Sequence, residues 1–328
     1  MTDLPAPGRS GPADLPAAGR SGLADLPGPA RAGLADPLAP GRTGLVDPPV
    51  SLVGSLSPSR ASDFKTCPLL YRYRSIDRLP QRPTTAATRG TLVHGVLERL
   101  FDLPPVERTP GSAAALVGPE WERLLEVEPA LAELFASAEE LSGWLESAVV
   151  LLEGYFALED PTRLAPAERE QLVEVVLDSG LRLRGFVDRL DVAPSGDIRV
   201  VDYKTGAAPR EAFEAKALFQ LKFYALVIWR TRGVVPRMLR LLYLGDREVL
   251  DYAPDIDELI RFERTVEAIW AAIDRATTAR DFRPNRTKLC GWCDYQALCP
   301  EFGGTPPPFP ELVPPPTEEP LLSPAAED

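Results

Sequence analysis

Asp202-Tyr203-Lys204 packs more reactive chemistry into three positions than any other stretch of the chain. In an extended strand, residues two apart project to one side, so Asp202 and Lys204 share a face. Gly185-Phe186-Val187-Asp188 lies upstream, and the turn signal Pro194-Ser195-Gly196-Asp197 folds the chain back, bringing Asp188 toward Asp202. Two carboxylates and an ammonium at a strand end can hold a divalent cation and position a water, which suits hydrolysis of a phosphodiester. The same side chains also suit a salt-bridged cross-strand cluster, and Asp-x-Lys alone does not separate the two.

Three further sets of residues bear on that choice. His94 is the only histidine, and its neighbour Gly95 costs a helix about 1 kcal/mol relative to Ala. Gln220 and Tyr224 stand one helical turn apart, an amide and a phenol on one face. The four cysteines are Cys67 and the trio Cys290, Cys293 and Cys299, the first two of the trio in Cys-x2-Cys spacing. Four thiolates suit a structural zinc or an iron–sulfur cluster, and spacing hardly distinguishes them.

The elements that must position these residues can be read from periodicity. Ser57-Pro58-Ser59 signals a helix start. A helix is predicted over 91–101 and an acidic helical stretch over 118–158. Strands follow over 171–177, 181–192 and 198–203, then a helix over 211–230, strands near 238–243 and 248–252, and a last helix over 256–276. This is an α/β pattern, a small mixed sheet flanked by helices.

The 328 residues divide into three parts. Residues 1–54 repeat every 11 positions, as Asp3, Asp14, Asp25, Asp36 and Asp47 show, but each unit carries helix-breaking Pro and Gly, so a disordered arm is expected. Residues 55–302 form the folded domain, and 303–328 read as a disordered, Pro-rich acidic tail. The longest apolar runs are too short to cross a bilayer and the first residues carry no signal-peptide pattern, so no membrane partner and a cytoplasmic location are expected. The net charge of −12 is segregated: residues 55–100 hold eight Arg or Lys against three acids, whereas 101–180 hold 17 acids against four bases. A basic segment inside an acidic chain keeps a polyanion partner open.

Six short motifs occur in a specific order: Leu56-Ser57-Pro58-Ser59-Arg60, Cys67-Pro68, Arg89-Gly90-Thr91-Leu92-Val93-His94, Gly185-Phe186-Val187-Asp188-Arg189, Asp202-Tyr203-Lys204-Thr205-Gly206 and Gln220-x-x-x-Tyr224. Over residues 55–302 the chain resembles the RecB-family exonucleases of the PD-(D/E)XK nuclease superfamily. It is also similar to the small CRISPR-associated nucleases and the nuclease domain of AddB. The resemblance implies a restriction-endonuclease-like core. It implies His94, Asp188, Asp202 and the Tyr203 carbonyl as ligands of Mg²⁺ or Mn²⁺, Lys204 as catalytic lysine, and Gln220 and Tyr224 as the accessory pair that holds the lysine. Many relatives add a glutamate from the preceding strand, for which Glu170 is the nearest match in loose register. One distant cysteine joined to a C-terminal trio resembles the iron–sulfur branch, implying a [4Fe–4S] cluster on Cys67, Cys290, Cys293 and Cys299 that clasps the ends of the domain, with structural Zn²⁺ the alternative.

The expected activity is metal-dependent cleavage of single-stranded DNA or DNA ends in repair or recombination. Arg60, Lys65, Arg72, Arg74, Arg78, Arg82 and Arg89, interleaved with Tyr71 and Tyr73, are expected to line the path of the strand. The alternative is a non-catalytic, cysteine-stapled DNA-binding or scaffold protein. No Gly-x4-Gly-Lys-Ser/Thr loop occurs in the chain, so a helicase motor would have to be a separate subunit.

Overall fold

A computed structural model describes residues 55–208 and 211–311. The expected disordered arm and the tail beyond 311 lie outside these residues. Ser57 caps helix α1 (Pro58–Thr66), its Oγ accepting the N–H of Arg60, and Pro58 occupies the first turn, as the sequence signal predicts. Pro68 starts α2 (Pro68–Tyr71), which runs into a wider turn through Ile76.

Helix α3 (Thr85–Leu100) begins six residues before the predicted start, with Thr84 as its cap. Its first turn, Thr-Ala-Ala-Thr, buries only Thr88 and so leaves no apolar period to read. The acidic stretch is two helices, α4 (Pro110–Val127) and α5 (Ala138–Leu158). Pro129 ends α4 because the residue before a proline is pushed out of helical geometry. Helix α5 has the length and apolarity of a membrane span, a test that the core helices of soluble folds also pass. Its Trp144, Ala148, Leu152 and Tyr155 pack into the core against α3 and α4.

The sheet holds β1 (Ser55–Leu56), β2 (Glu168–Val176), β3 (Arg182–Val192), β4 (Ile198–Lys204), β5 (Met238–Tyr243) and β6 (Glu248–Tyr252). Its order is β1-β3-β4-β5-β6, with β2 also paired to β3. Strands β4 and β5 run parallel, so a crossover is required, and α6 (Glu211–Arg232) supplies it. One face packs against α1, α6 and α7 (Ile256–Ala279), the other against α3, α4 and α5.

Strand β3 is the organising element. One edge pairs with β2 along nearly its whole length. The other edge pairs with β1 at 182–183 and with β4 at 189–192, which leaves 184–188 without a strand partner there. Gly185 lies in that gap, and a Cβ on it would meet Tyr224 Cε1 at 2.8 Å and Pro58 Cδ at 3.6 Å. The missing side chain lets α6 and the α1 start close over the gap.

The folded domain ends later than expected from composition. Residues 303–311 pack against it: Phe309 stacks on Phe282, and Arg72 and Arg280 place their guanidinium groups over the Phe309 ring.

Candidate active site

The row of residues at the fork between β3 and β4 carries the chemistry. Arg169 pairs with Arg189 and Gln171 with Val187, so register sets Glu170 opposite Asp188. Arg189 pairs with Val201, which makes Asp202 the next residue in line on β4. Strand alternation breaks at this row. Val187 and Leu190 lie in the same core cluster although three positions apart, and Arg189 points to the opposite layer, donating to the Tyr203 hydroxyl at 2.8 Å. Glu170 takes up the irregularity with a φ of 43°, a left-handed conformation that costs a non-glycine residue on the order of 1 kcal/mol or more.

The result is a three-donor group. His94 reaches in from α3, with Nδ1 at 3.4 Å from Asp188 Oδ2 and 3.6 Å from Glu170 Oε1. One ligand atom from each of the three residues lies within 4.8 Å of the others. On the far side of the ring, Nε2 donates to the Tyr203 carbonyl at 3.0 Å, which fixes the imidazole so that Nδ1 faces the carboxylates. Asp188 Oδ2 accepts the Tyr203 N–H at 2.7 Å, replacing the ladder bond lost where the strands part.

Electrostatics follow from that crowding. Burial opposes charge on His94, but Asp188 and Glu170 overcome it and hold the imidazole well above its ordinary value. Burial also works against charge on Asp188, yet His94 and Lys204 keep it below the usual carboxylate range. Glu170 is raised by burial and by Asp188, despite His94. Without a metal, the proton on His94 is what reconciles two adjacent carboxylates. An imidazole with two carboxylates is a donor set suited to Mn²⁺ or Mg²⁺, so these residues form a possible divalent-metal site.

Lys204 lies beside this group. Its Nζ donates to Gln220 Oε1 at 2.9 Å and stands 2.5 Å from Asp202 Oδ2. The Gln220 amide also donates to Asp202 Oδ1 at 3.0 Å and to the Tyr224 hydroxyl at 3.1 Å. Burial pushes Asp202 up to about 6 against the pull of Lys204, with the Asp188 charge adding to the rise. Burial lowers Lys204, but Asp202 and Asp188 outweigh it and the ammonium is held above its ordinary value.

The expected ligands fall as follows. Asp202 is turned toward Lys204 and Gln220 and is not one of the three clustered donors. The Tyr203 carbonyl accepts from His94 and holds the ring from behind. Glu170, left aside on loose register, supplies the third donor; its position directly opposite Asp188 was hidden because a left-handed residue in a strand leaves no mark in the hydropathy pattern.

The family model for the PD-(D/E)XK nuclease superfamily matches residues 55–300. The chain belongs to that superfamily. This PD-(D/E)XK protein is 32% identical over 128 residues to the Gene 69 protein of Mycobacterium phage L5, a match covering 38% of this chain and 41% of that protein. It is 26% identical over 277 residues to the Gene 69 protein of Mycobacterium phage D29, covering 75% and 96% of the two chains. Among solved structures, a candidate exonuclease from Eubacterium rectale aligns over 74% of this chain and 88% of its own, with 14% identity and a TM-score of 0.49. Membership makes phosphodiester hydrolysis the family chemistry and nucleic acid the substrate class.

The basic path expected on this PD-(D/E)XK domain is largely spent on folding. Tyr71 and Tyr73 are 2% and 1% exposed, so neither can stack on a base. Tyr71 packs on Phe282 and Phe64, and Tyr73 donates to the Leu298 carbonyl at 2.7 Å. Arg72 pairs with Asp77 at 3.0 Å and Arg74 with Asp63 at 3.0 Å, while Arg89 donates to Ser147. Arg82 is exposed.

All four cysteines are unpaired and line one cavity. Asn285 N–H donates to Cys67 Sγ and Thr287 N–H to Cys290 Sγ, each at 3.3 Å. Among the described residues, no three cysteine sulfurs lie within 4.8 Å of one another.

Proposed function

We propose that this chain is a divalent-cation-dependent deoxyribonuclease of exonuclease type, acting on single-stranded DNA or DNA ends in repair or recombination. The observation that carries the reading is the meeting of His94, Glu170 and Asp188 beside a lysine held by Gln220 and Asp202. His94 Nδ1 and the carboxylates of Glu170 and Asp188 would hold the cation. When bound, it supplies Lewis-acid stabilisation of phosphate charge and lowers the pKa of a coordinated water. Lys204 presents a fixed positive charge where negative charge grows on the phosphate, and its half-buried position strengthens that interaction. Asp202 and Gln220 keep the ammonium aimed, and Tyr224 restrains the Gln220 amide from behind.

Cys67, Cys290, Cys293 and Cys299 would hold a [4Fe–4S] cluster, the reading that the resemblance to the iron–sulfur branch favours. The four thiols line one cavity, and both a cluster and a structural zinc take four cysteine ligands, so zinc is the alternative. Backbone N–H groups directed at Cys67 and Cys290 suit thiolates in either case. The cluster's role is structural, holding the α1–α2 junction to the C-terminal segment. A helicase, where one takes part, is a separate subunit.

The test is degradation of labelled DNA with Mn²⁺ or Mg²⁺. Lys204→Ala and Asp188→Asn should each lower turnover at least 100-fold with the fold intact. Undiminished cleavage by Asp188→Asn would remove the assignment. Iron and zinc assays with an absorption spectrum of anaerobically purified protein decide the cysteine centre separately.

A further inference from the structure

Trp292 is 83% exposed and Phe302 is 44% exposed, the two aromatic side chains in the exposed class among the described residues. Both belong to the cysteine lobe, Trp292 between Cys290 and Cys293 and Phe302 just after Cys299. An indole standing this far out of a folded domain gives up stabilisation that burial would supply, and folding does not require it there. From Phe282 to Cys293 the chain carries Arg283, Arg286 and Lys288, all exposed. Arg283 is held by Asp281 at 3.0 Å, so Arg286 and Lys288 are the cations this segment offers, with the acids Asp294 and Glu301 beyond Cys293. The Arg286 guanidinium lies 5.6 Å from the centroid of the Phe302 ring, so one of these cations and one of these rings share a surface. Flat rings open to solvent beside guanidinium and ammonium groups are the combination that holds single-stranded nucleic acid, by stacking on bases and contacting phosphates.

We propose that Trp292, with Phe302, Arg286 and Lys288, is a binding platform for single-stranded DNA outside the metal site. The proposal rests on the nuclease reading and deepens it: it names the strandedness of the substrate and gives the cysteine lobe a task beyond bracing the fold. It also relocates base stacking from Tyr71 and Tyr73, which are buried, to rings that are exposed.

The experiment measures binding of labelled oligothymidylate to the full chain without divalent metal, alongside a blunt duplex of equal length. Trp292→Ala should weaken oligothymidylate binding roughly tenfold, while duplex binding changes less than twofold. Trp292→Phe should keep most of the affinity, since a ring remains. Arg286→Ala with Lys288→Ala should flatten the dependence of affinity on salt concentration by a slope of about 1.4. If Trp292→Ala disturbs the neighbouring cysteines, the unaltered protein still decides: photocrosslinking to bromodeoxyuridine-substituted oligonucleotide should mark the peptide containing Trp292. Equal binding by the folded Trp292→Ala protein, or crosslinks confined to other peptides, overturns the proposal and leaves the exposed ring to a protein partner. Lys204→Ala separates the two readings, because it should abolish cleavage and leave oligothymidylate binding intact. Tight binding with no cleavage by any variant or metal would sink the nuclease reading and spare the platform.

Discussion

Replacing Gly95 by Ala sets two effects of known size against each other. Gly95 lies in the interior of α3, where Ala is favoured over Gly by about 1 kcal/mol, so helix propensity alone predicts stabilisation. Packing predicts the reverse. A Cβ at position 95 would come within 2.1 Å of Glu120 Oε1 and 2.7 Å of its Cδ. The Glu120 side chain is 1% exposed, wedged between α3 and α4 and paired with Arg99 at 3.2 Å and with Arg123. Making room for the Cβ displaces this carboxylate from its partners, and breaking a buried ion pair costs about 3–5 kcal/mol. The lower end applies because both arginines are partly exposed and can follow the carboxylate outward. The net expectation is a loss of about 2 kcal/mol, a fall in Tm of roughly 4–8 °C for a domain this size. In a Glu120→Ala background the same substitution should become stabilising by about 1 kcal/mol, a coupling of about 3 kcal/mol. Thermal and urea unfolding of the four proteins measure it. A Gly95→Ala protein at least as stable as the parent, or one whose loss persists without Glu120, refutes the steric account.

Three other outcomes follow from the geometry. Because the metal-free folded state holds the Asp202 proton up to about 6, stability should fall as pH rises from about 4 to about 6, by on the order of 3 kcal/mol. Asp202→Asn should flatten that slope, and an unchanged slope in urea midpoints would show the charge lies elsewhere. Gly185→Ala should push on the Tyr224 ring and lower turnover roughly tenfold; full activity with a folded protein would mean that Tyr224 placement is unimportant. Phe309→Ala should cost about 2 kcal/mol by removing the ring between Phe282, Arg72 and Arg280, and a chain ending at Gly303 with unaltered Tm would contradict the packing of this segment.

Much of the sheet was legible because strands and turns leave short-range signatures. The Pro194–Asp197 turn and the alternation from 198 to 203 predict β4 to within a residue, and register then brings Asp188 and Asp202 into one row. What escaped depended on contacts distant in sequence. Tyr71 and Tyr73 are interleaved with arginines, a pattern that reads as a nucleic-acid surface, but their neighbours Phe282, Tyr295 and Leu298 lie more than 200 positions away. Glu170 was obscured by a backbone irregularity that composition does not encode. The Asp202 orientation depends on Gln220, which reaches it from a helix 18 positions further along the chain. The proline content after Gly303 suggested disorder, whereas Phe309 supplies the one large ring needed to fasten that stretch.

The meeting of the α1–α2 region with the last described residues has a consequence for biosynthesis. Tyr71 and Tyr73 leave the ribosome early, yet Phe282, Tyr295 and Phe309 emerge only after most of the remaining polypeptide has been made. At ordinary elongation speeds, the nascent chain spends roughly 10–50 s with these early tyrosines lacking their late covering. Premature termination between Tyr252 and Phe282 would thus leave a fully translated sheet with a greasy, unsealed flank, making the protein's yield sensitive to the codons that follow the last strand.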